Sequence, residues 1–310
     1  MSILITGGTG LLGPVVAEEY LKVENDNVIL FDININEIAF LQEYIKRVEM
    51  IKGDISDFKN ILNVCKEFKV NKVVHLAAIA DVDIAEKNPL KACDVNVKGT
   101  YNVLETCKRL DINKMVYAST GAVYGKAEGP VKEDTPYNPA AIYGATKVMG
   151  EVICLRYNKS YGVDLIINRL YFLYGPRMFF EPISPFGIVK NAVEGKTTTF
   201  ERGRDQLFEF THVRDAARGI ILSLLADSKK LDHRVFNISY GKTIKLKDFA
   251  EIVKKYVPGA DIELGPGKLE LPRGFPLDIT RAKKELSYKP KISLEEGIKE
   301  TITWLKKNLR

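Results

Sequence analysis

A tyrosine and a lysine four residues apart, Tyr143 and Lys147, form the residue pair in this chain that is best suited to acid–base chemistry. On a helix, residues with this spacing lie on one face, a single turn from each other. The pKa of a tyrosine is ordinarily about 10, and a cation held beside the phenol favours the phenolate and lowers that pKa. Such a phenol can exchange a proton with a substrate hydroxyl near neutral pH. The pair therefore predicts proton transfer at an alcohol, although the same spacing also occurs on ordinary helix surfaces.

Small and hydroxyl-bearing residues end two predicted strands. Ser119 and Thr120 end one of them, and Leu76, Ala77 and Ala78 end another. Ligands of open α/β sheets bind at the carboxyl ends of the strands. The hydroxyls can therefore contact a reacting oxygen, and the alanines leave room for a flat ligand.

Three glycines at intervals of three, Gly7, Gly10 and Gly13, separate an apolar strand predicted over 2–6 from a helix predicted over 11–21. In a dinucleotide site, the first glycine permits the tight turn and the second lets the backbone approach a pyrophosphate. The third lets the helix pack on the strand. The helix N-terminus then offers free N–H groups to the phosphates. A glycine-rich turn without a ligand is the alternative interpretation.

An acidic residue, Asp32, ends the second predicted strand about 20 residues beyond the glycines, where a carboxylate can bind the ribose hydroxyls of a dinucleotide. Ile33 and Asn34 follow it and provide no cation for a 2′-phosphate. The sequence therefore predicts NAD as the cofactor rather than NADP.

The elements that must position these residues alternate between strand and helix, which predicts right-handed crossovers and a parallel sheet. The fold class expected is α/β, a doubly wound (Rossmann) parallel sheet with a smaller C-terminal substrate-binding region. Residues 1–170 are predicted to bind NAD, with 213–240 returning to that domain, and 171–310 to form mainly the substrate-binding region.

Composition limits the function classes. The net charge of +6 is spread over interspersed Lys and Glu, so no nucleic-acid partner is expected. The chain begins with a strand and has no apolar run long enough to span a membrane, so we expect neither a signal peptide nor a membrane partner. Four cysteines without a CxxC pair fit a reducing cytoplasm, and three scattered histidines make a metal site improbable.

With these motifs in order, the chain resembles the extended short-chain dehydrogenase/reductases of the NAD-dependent epimerase/dehydratase family, which includes UDP-glucose 4-epimerases. The matching segments are TGGTGLLG (6–13), GDI (53–55), HLAA (75–78), NVKGT (96–100), STGAVYG (119–125), YGATK (143–147), YGPR (174–177) and FTHVRD (210–215). The resemblance extends over nearly the whole chain.

The resemblance implies a role for each matched residue. Tyr143 would be the acid/base, Lys147 would bind the nicotinamide ribose, and Thr120, with Ser119 beside it, would contact the reacting oxygen. Other positions would bind the cofactor: Leu11 and Leu12 in the glycine turn, Asp54 and Ile55 around the adenine, and Asn96 at a helix distortion. Family members pair through two helices, which are predicted here near 89–110 and 145–161 and carry apolar residues such as Val103, Leu104 and Val152. The resemblance therefore also implies a homodimer.

Three positions depart from the family's nucleotide-sugar enzymes. Phe172 replaces an asparagine, Phe208 replaces an arginine that meets the diphosphate, and a shortened segment holds Arg273. An aromatic ring cannot do for a diphosphate what a bidentate guanidinium does. We therefore expect Phe172, Phe208, Arg177 and Arg273 in the substrate site, and weak binding of UDP-hexoses unless an arginine compensates. Whether the substrate carries a nucleotide diphosphate stays open.

The reaction expected from these features is hydride transfer from a secondary alcohol carbon to NAD, with a sugar-like small molecule as substrate. The resemblance favours an epimerase of a sugar or nucleotide sugar. The alternative is net dehydrogenation of a non-nucleotide sugar, polyol or hydroxy acid, and a non-catalytic NAD-binding regulator is a third class. Dehydration is disfavoured because Gly121 and Ala122 stand where dehydratases carry an Asp-Glu pair.

Overall fold

Alternating strands and helices make up the chain, whose computed structural model describes residues 1–35, 39–127, 129–177, 185–269 and 274–308. The described strands are β1 (Ser2–Thr6), β2 (Asn27–Asp32), β3 (Val48–Lys52), β4 (Val70–His75), β5 (Lys114–Thr120), β6 (Leu165–Leu170), β7 (Leu173–Tyr174), β8 (Thr198–Phe200), β9 (Leu207–Glu209), β10 (Thr211–His212), β11 (Val235–Ile238), β12 (Thr243–Lys245) and β13 (Ile262–Leu264). The described helices are α1 (Gly13–Leu21), α2 (Phe58–Glu67), α3 (Val82–Lys87), α4 (Pro89–Cys93), α5 (Gly99–Arg109), α6 (Ile142–Tyr161), α7 (Pro185–Glu194), α8 (Val213–Leu225), α9 (Leu246–Tyr256), α10 (Thr280–Glu285) and α11 (Leu294–Asn308).

Within these ranges, the main sheet has seven parallel strands in the order β11-β6-β5-β4-β1-β2-β3. The chain winds in one direction from β1 to β3 and in the other from β4 to β11, so the order reverses between β1 and β4. This is the predicted doubly wound sheet, and the prediction is confirmed. A ligand crevice is expected outside the strand ends at this reversal.

Both faces of the sheet are covered, as expected of a parallel sheet. On one face, α1, α8 and α10 pack on side chains such as Ile3 and Ile5; on the other, α2, α5 and α6 pack on Leu4 and its neighbours. The central strands are therefore continuous apolar runs that fix the position of their carboxyl ends.

The long helix that the sequence indicates over 89–110 is interrupted. Between α4 and α5, Asp94–Lys98 form a π-helix. Such a bulge inserts one extra residue into a turn. It presents Asn96 to the loop after β4, where the amide oxygen accepts a hydrogen bond from the Ile79 N–H (2.8 Å) and the amide nitrogen donates to the Ile79 carbonyl (3.1 Å).

A second hydrophobic core lies beside the sheet and is rich in aromatic residues. It is formed by α7, α9, α11 and the short strands β8, β9, β12 and β13, and it includes Phe208, Phe210 and Phe249. The chain returns to the main sheet before it completes this core: β11 pairs with β6, and α8 packs against α1. No helix in the described part of the chain is long and apolar enough to cross a membrane.

Candidate active site

A cavity of about 670 Å³ lies at the carboxyl ends of β1, β2, β4, β5 and β6, at the reversal of strand order. Most of the predicted site residues line it: Gly7, Gly10, Leu11, Leu12, Gly13, Asp32, Asp54, Ile55, Leu76, Ala77, Ala78, Ser119, Thr120, Tyr143, Lys147 and Phe172. The predicted cofactor and acid–base residues therefore share one cavity. The cofactor residues lie mainly at the ends of β1 to β4, and the acid–base residues lie on β5 and α6.

The glycine turn after β1 has the geometry of a dinucleotide cradle. Gly7 has a φ of +68°, and a Cβ there would lie 2.8 Å from the Ala77 nitrogen. A Cβ on Gly13 would lie 2.5 Å from the Gly7 oxygen, so packing within the protein requires both glycines. At Gly10 the nearest protein atom would be 3.4 Å away. Since packing makes a weaker demand at Gly10, its lack of a side chain fits a ligand that approaches the backbone from the cavity.

Asp32 lies at the end of β2 beside this turn. One carboxylate oxygen accepts a hydrogen bond from the Thr9 N–H and the other from the Asn34 N–H, both at 3.2 Å. These bonds fix the carboxylate at the cavity wall. The first turn of α1 carries no acidic side chain, so the N-terminus of this helix is favourable to an anion.

Tyr143 and Lys147 both face the cavity from the first two turns of α6. Lys147 is only 3% exposed, and its Nζ lies 4.5 Å from the centroid of the Tyr117 ring. Burial lowers the pKa of Lys147 to about 8, against opposing contributions from Cys154 and Glu151 on the same helix. The ammonium group is thus held at the cavity with a pKa close to the working range of an enzyme.

The two hydroxyls at the end of β5 differ in orientation. Thr120 lines the cavity, and its Oγ1 accepts a hydrogen bond from the Ala122 N–H at 3.2 Å. Ser119 also borders the cavity, but its hydroxyl donates to the buried carboxylate of Glu151. Thr120 is therefore the better placed of the two to contact a substrate oxygen.

Asn96 lies behind the cavity wall and is 1% exposed. Besides Ile79, its amide nitrogen contacts the Thr146 hydroxyl at 2.9 Å, next to Lys147 in α6. The side chain therefore joins the loop after β4 to the helix that carries Tyr143. The expected helix distortion is present, but Asn96 supports the site from behind instead of lining it.

Two predicted substrate residues, Arg177 and Phe208, do not line this cavity. Arg177 borders a second cavity of about 540 Å³, which α1, the start of α8 and α11 enclose with His212 and Glu300. Phe208 is 2% exposed and packs between Phe172 and Phe210 in the second core, because an apolar ring gains more from burial than from a wet cavity wall. Phe208 and Arg177 therefore lie away from the cavity that Tyr143 and Lys147 line, and Arg273 lies outside the described residues.

Sequence reasoning also missed residues that line the cavity, among them Ile79, Lys91, Val95 and Leu170. Lys91 is exposed on α4 near Asp54. Burial alone would raise the pKa of Asp54, but the Ser56 N–H and the charges of Lys91 and Lys98 bring it below its ordinary value. A lysine on a short helix carries no pattern that marks it as a site residue, so only the fold reveals it.

The model of the NAD-dependent epimerase/dehydratase family matches residues 3–239, about three quarters of the chain. The chain belongs to this family. The resemblance seen in the sequence, the NAD cofactor and the class of epimerase-type enzyme are thereby confirmed.

Relatives and solved structures agree with this membership. A UDP-glucuronate 4-epimerase of Thermodesulfobacterium geofontis is 33% identical, over 99% of this chain and 96% of the relative. The UDP-glucose 4-epimerase of Thermotoga maritima, solved with UDP-glucose, superposes with a TM-score of 0.88 at 25% identity and full coverage of both chains. The UDP-glucuronic acid 4-epimerase of Bacillus cereus, solved with NAD, has a TM-score of 0.85 at 27% identity over 99% of each chain.

Proposed function

We propose that this member of the epimerase/dehydratase family inverts a secondary alcohol carbon of a nucleotide-linked sugar, with UDP-glucuronate and UDP-glucose as the first candidates. The observation that carries the proposal is the cavity itself, on which Tyr143, Lys147 and Thr120 lie together with the glycine turn and Asp32. The names of the relatives that match the chain over almost its full length supply the substrate class.

NAD fits the part of the cavity around β1 and β2. The turn from Gly7 to Gly13 and the N-terminus of α1 would hold the pyrophosphate, and Asp32 would accept hydrogen bonds from the adenosine ribose. Asp54 and Ile55 would border the adenine. When bound, the cofactor supplies reversible hydride chemistry at the substrate carbon.

The protein's own residues would handle the proton and the oxygen. Tyr143 would take the proton of the alcohol in the first half of the reaction and return it in the second. Lys147 would stabilise the phenolate by its charge, and Thr120 would donate a hydrogen bond to the reacting oxygen. Inversion then requires the ketone to present its other face before reduction. With Gly121 and Ala122 after Thr120, no carboxylate stands there to expel water.

Net dehydrogenation is the second candidate, and one observation favours it. Phe172 and its neighbour Leu173 line the cavity, and both are apolar. Such a wall suits a less polar substrate than a nucleotide diphosphate, such as a free sugar, polyol or hydroxy acid. The same Tyr143 and Lys147 would serve this reaction, with ketone and reduced cofactor leaving the protein.

The fate of the cofactor distinguishes the two candidates. An epimerase retains NAD through purification and converts a UDP-sugar to its epimer without net accumulation of NADH. A dehydrogenase exchanges free NAD and accumulates NADH in proportion to the substrate consumed. A protein that binds NAD and does neither with any sugar tested would be a regulator.

The domain division, assembly and location predicted from the sequence are also proposed here. Residues 1–170 with 213–240 would bind NAD, and the rest of 171–310 would bind mainly the substrate.

A homodimer is supported by large apolar side chains exposed on α5 and α6, namely Tyr101, Met149, Val152 and Tyr161. Four free cysteines support a cytoplasmic location, because reducing compartments keep thiols unpaired.

A further inference from the structure

Glu151 is a fully buried carboxylate on α6, one turn beyond Lys147. Its oxygens accept hydrogen bonds from Arg169 Nε (2.9 Å), Arg169 Nη2 (2.7 Å) and the Tyr137 hydroxyl (2.8 Å), and also from the Ser119 hydroxyl. A buried charge is strongly unfavourable unless it is paired and hydrogen-bonded. This carboxylate is held in one orientation by donors from three parts of the chain.

Arg169, at the end of β6, is 2% exposed and equally well satisfied. Besides its bonds to Glu151, its Nη1 donates to the Tyr124 hydroxyl (2.7 Å) and to the Glu133 carbonyl (2.8 Å), and its Nη2 donates to the Tyr137 hydroxyl (3.1 Å). A guanidinium has five N–H donors in a fixed plane, and these contacts provide a partner for each. The pair is therefore a rigid junction.

The junction joins the two elements that carry the predicted acid–base residues. Successive side chains on a strand point to opposite faces. Ser119 therefore points to Glu151 on α6, while Thr120, the next residue of β5, lines the cavity. Tyr124 and Tyr137 belong to the segment that connects β5 to α6. Glu151 thus fixes the end of β5 against the helix of Tyr143 and Lys147.

Glu151 also acts on Lys147 through its charge. The titratable groups around Lys147 are Tyr117 of β5, His75 of β4, and Tyr143, Glu151 and Cys154 of α6. Burial lowers the pKa of His75 to about 3 and raises that of the Cys154 thiol well above its ordinary value, so both are neutral. Among these groups, Glu151 supplies a negative charge that opposes the effect of burial on the ammonium.

We propose that Glu151 is a positioning residue of the reaction, which holds the Tyr143–Lys147 face of α6 against Thr120 and places a carboxylate one helical turn from the buried ammonium of Lys147. The inference rests on the proposed function for the roles of Tyr143, Lys147 and Thr120. Glu151 itself touches neither the cavity nor a substrate, and it acts through Lys147 and Ser119.

The test uses Glu151→Gln, which keeps the shape of the side chain and removes its charge. NAD binding is measured by calorimetry across a pH series without any sugar, so the readout does not depend on turnover. In the wild type, affinity falls as Lys147 deprotonates near its pKa of about 8. In Glu151→Gln this loss of affinity begins at a lower pH, because the carboxylate that opposes the effect of burial on Lys147 is gone. In turnover, kcat falls about tenfold or more with little change in KM.

Two companion variants keep the test decisive. Glu151→Gln leaves the guanidinium of Arg169 buried without its anion, which can prevent folding, whereas Glu151→Gln with Arg169→Gln removes both charges together. The double variant must show a shift of NAD binding in the same direction, but a smaller one, because the positive charge of Arg169 is removed as well. Glu105→Gln is the matched control, because Glu105 on α5 is also buried and accepts from Arg109 (2.8 Å) and Tyr157 (3.2 Å), away from the cavity.

A folded double variant with the wild-type pH dependence of NAD binding would overturn the inference, as would an equal shift in Glu105→Gln. Absence of epimerisation by the wild type is a different outcome. It would refute the proposed function and leave the NAD readout to decide on Glu151.

Discussion

At the scale of single residues, Lys147 combines a cost in stability with a role in the site. Its pKa is lowered to about 8 in the folded chain from an ordinary value of 10.5. Between these values the unfolded chain binds a proton that the folded chain has released, so this contribution to stability improves as the pH rises through the window. Below pH 8 the lysine is protonated in both states, and its burial lowers the free energy of unfolding by on the order of 3 kcal/mol.

Lys147→Met is therefore expected to raise the melting temperature of the NAD-free protein at neutral pH while it lowers activity by 100-fold or more, roughly the contribution of a lost acid–base partner. Thermal unfolding and steady-state kinetics measure the two effects. Lys159→Met, which removes an exposed lysine from the same helix, is the control and should change neither. A lower melting temperature for Lys147→Met would show that the ammonium is stabilising instead.

Phe172 is the departure from the family pattern that remains at the cavity wall. Its φ is +40°, a backbone conformation that asparagine adopts more readily than phenylalanine. Phe172→Asn would add hydrogen-bonding groups there, so the KM for a UDP-sugar should fall about threefold to tenfold, the equivalent of one hydrogen bond. Leu173→Asn adds the same group at a neighbouring cavity position and is the control. Equal gains in both variants, or none in Phe172→Asn, would contradict a specific role for position 172.

The sequence predicts site residues well where local spacing determines geometry. Gly7, Gly10 and Gly13 depend on one turn, and Tyr143 and Lys147 on one helical face, so both sets come to the same cavity. Packing between distant segments determines the rest. Phe208 lies in the core because Phe172 and Phe210 surround it, and no local pattern indicates that arrangement.

At the scale of elements, α5 and α6 show why a list of apolar residues does not identify an interface. Val103 and Leu104 are both 0% exposed and belong to the sheet-facing core, whereas Val152 is 53% exposed. The sequence predicts both helices, but it cannot separate the face that packs on the sheet from the exposed face, since each carries apolar residues. The π-helix between α4 and α5 is likewise not indicated by periodicity, and only the resemblance implied a helix distortion at Asn96.

The proposed dimer places Val152 at an interface between copies of this chain. Val152→Glu would bury an unpaired carboxylate there, so it should shift the mass in solution from dimer to monomer at micromolar concentration. Light scattering measures the mass. Leu225→Glu, at an exposed apolar position of α8, is the control and should leave the mass unchanged. A wild-type protein of monomeric mass would refute the dimer, and a dimeric Val152→Glu would place the interface elsewhere.

At the scale of the whole molecule, the parallel sheet determines where the cavity lies, because the cavity is at the carboxyl ends of its strands. The alternation of strands and helices predicts the parallel sheet, and the glycine turn after β1 marks the end of it where the cofactor is expected. The substrate side depends on short strands and loops with weak patterns. Its specificity is therefore the part of the molecule that the sequence predicts least well.

The measurement that tests the account most directly is the product formed from UDP-glucuronate by the purified protein with its retained NAD. We predict that chromatography of the nucleotide sugars will show the C4 epimer approaching an equilibrium mixture, with no net increase in NADH absorbance. NADH that accumulates in step with the sugar consumed, without an epimer, would contradict the account and identify a dehydrogenase.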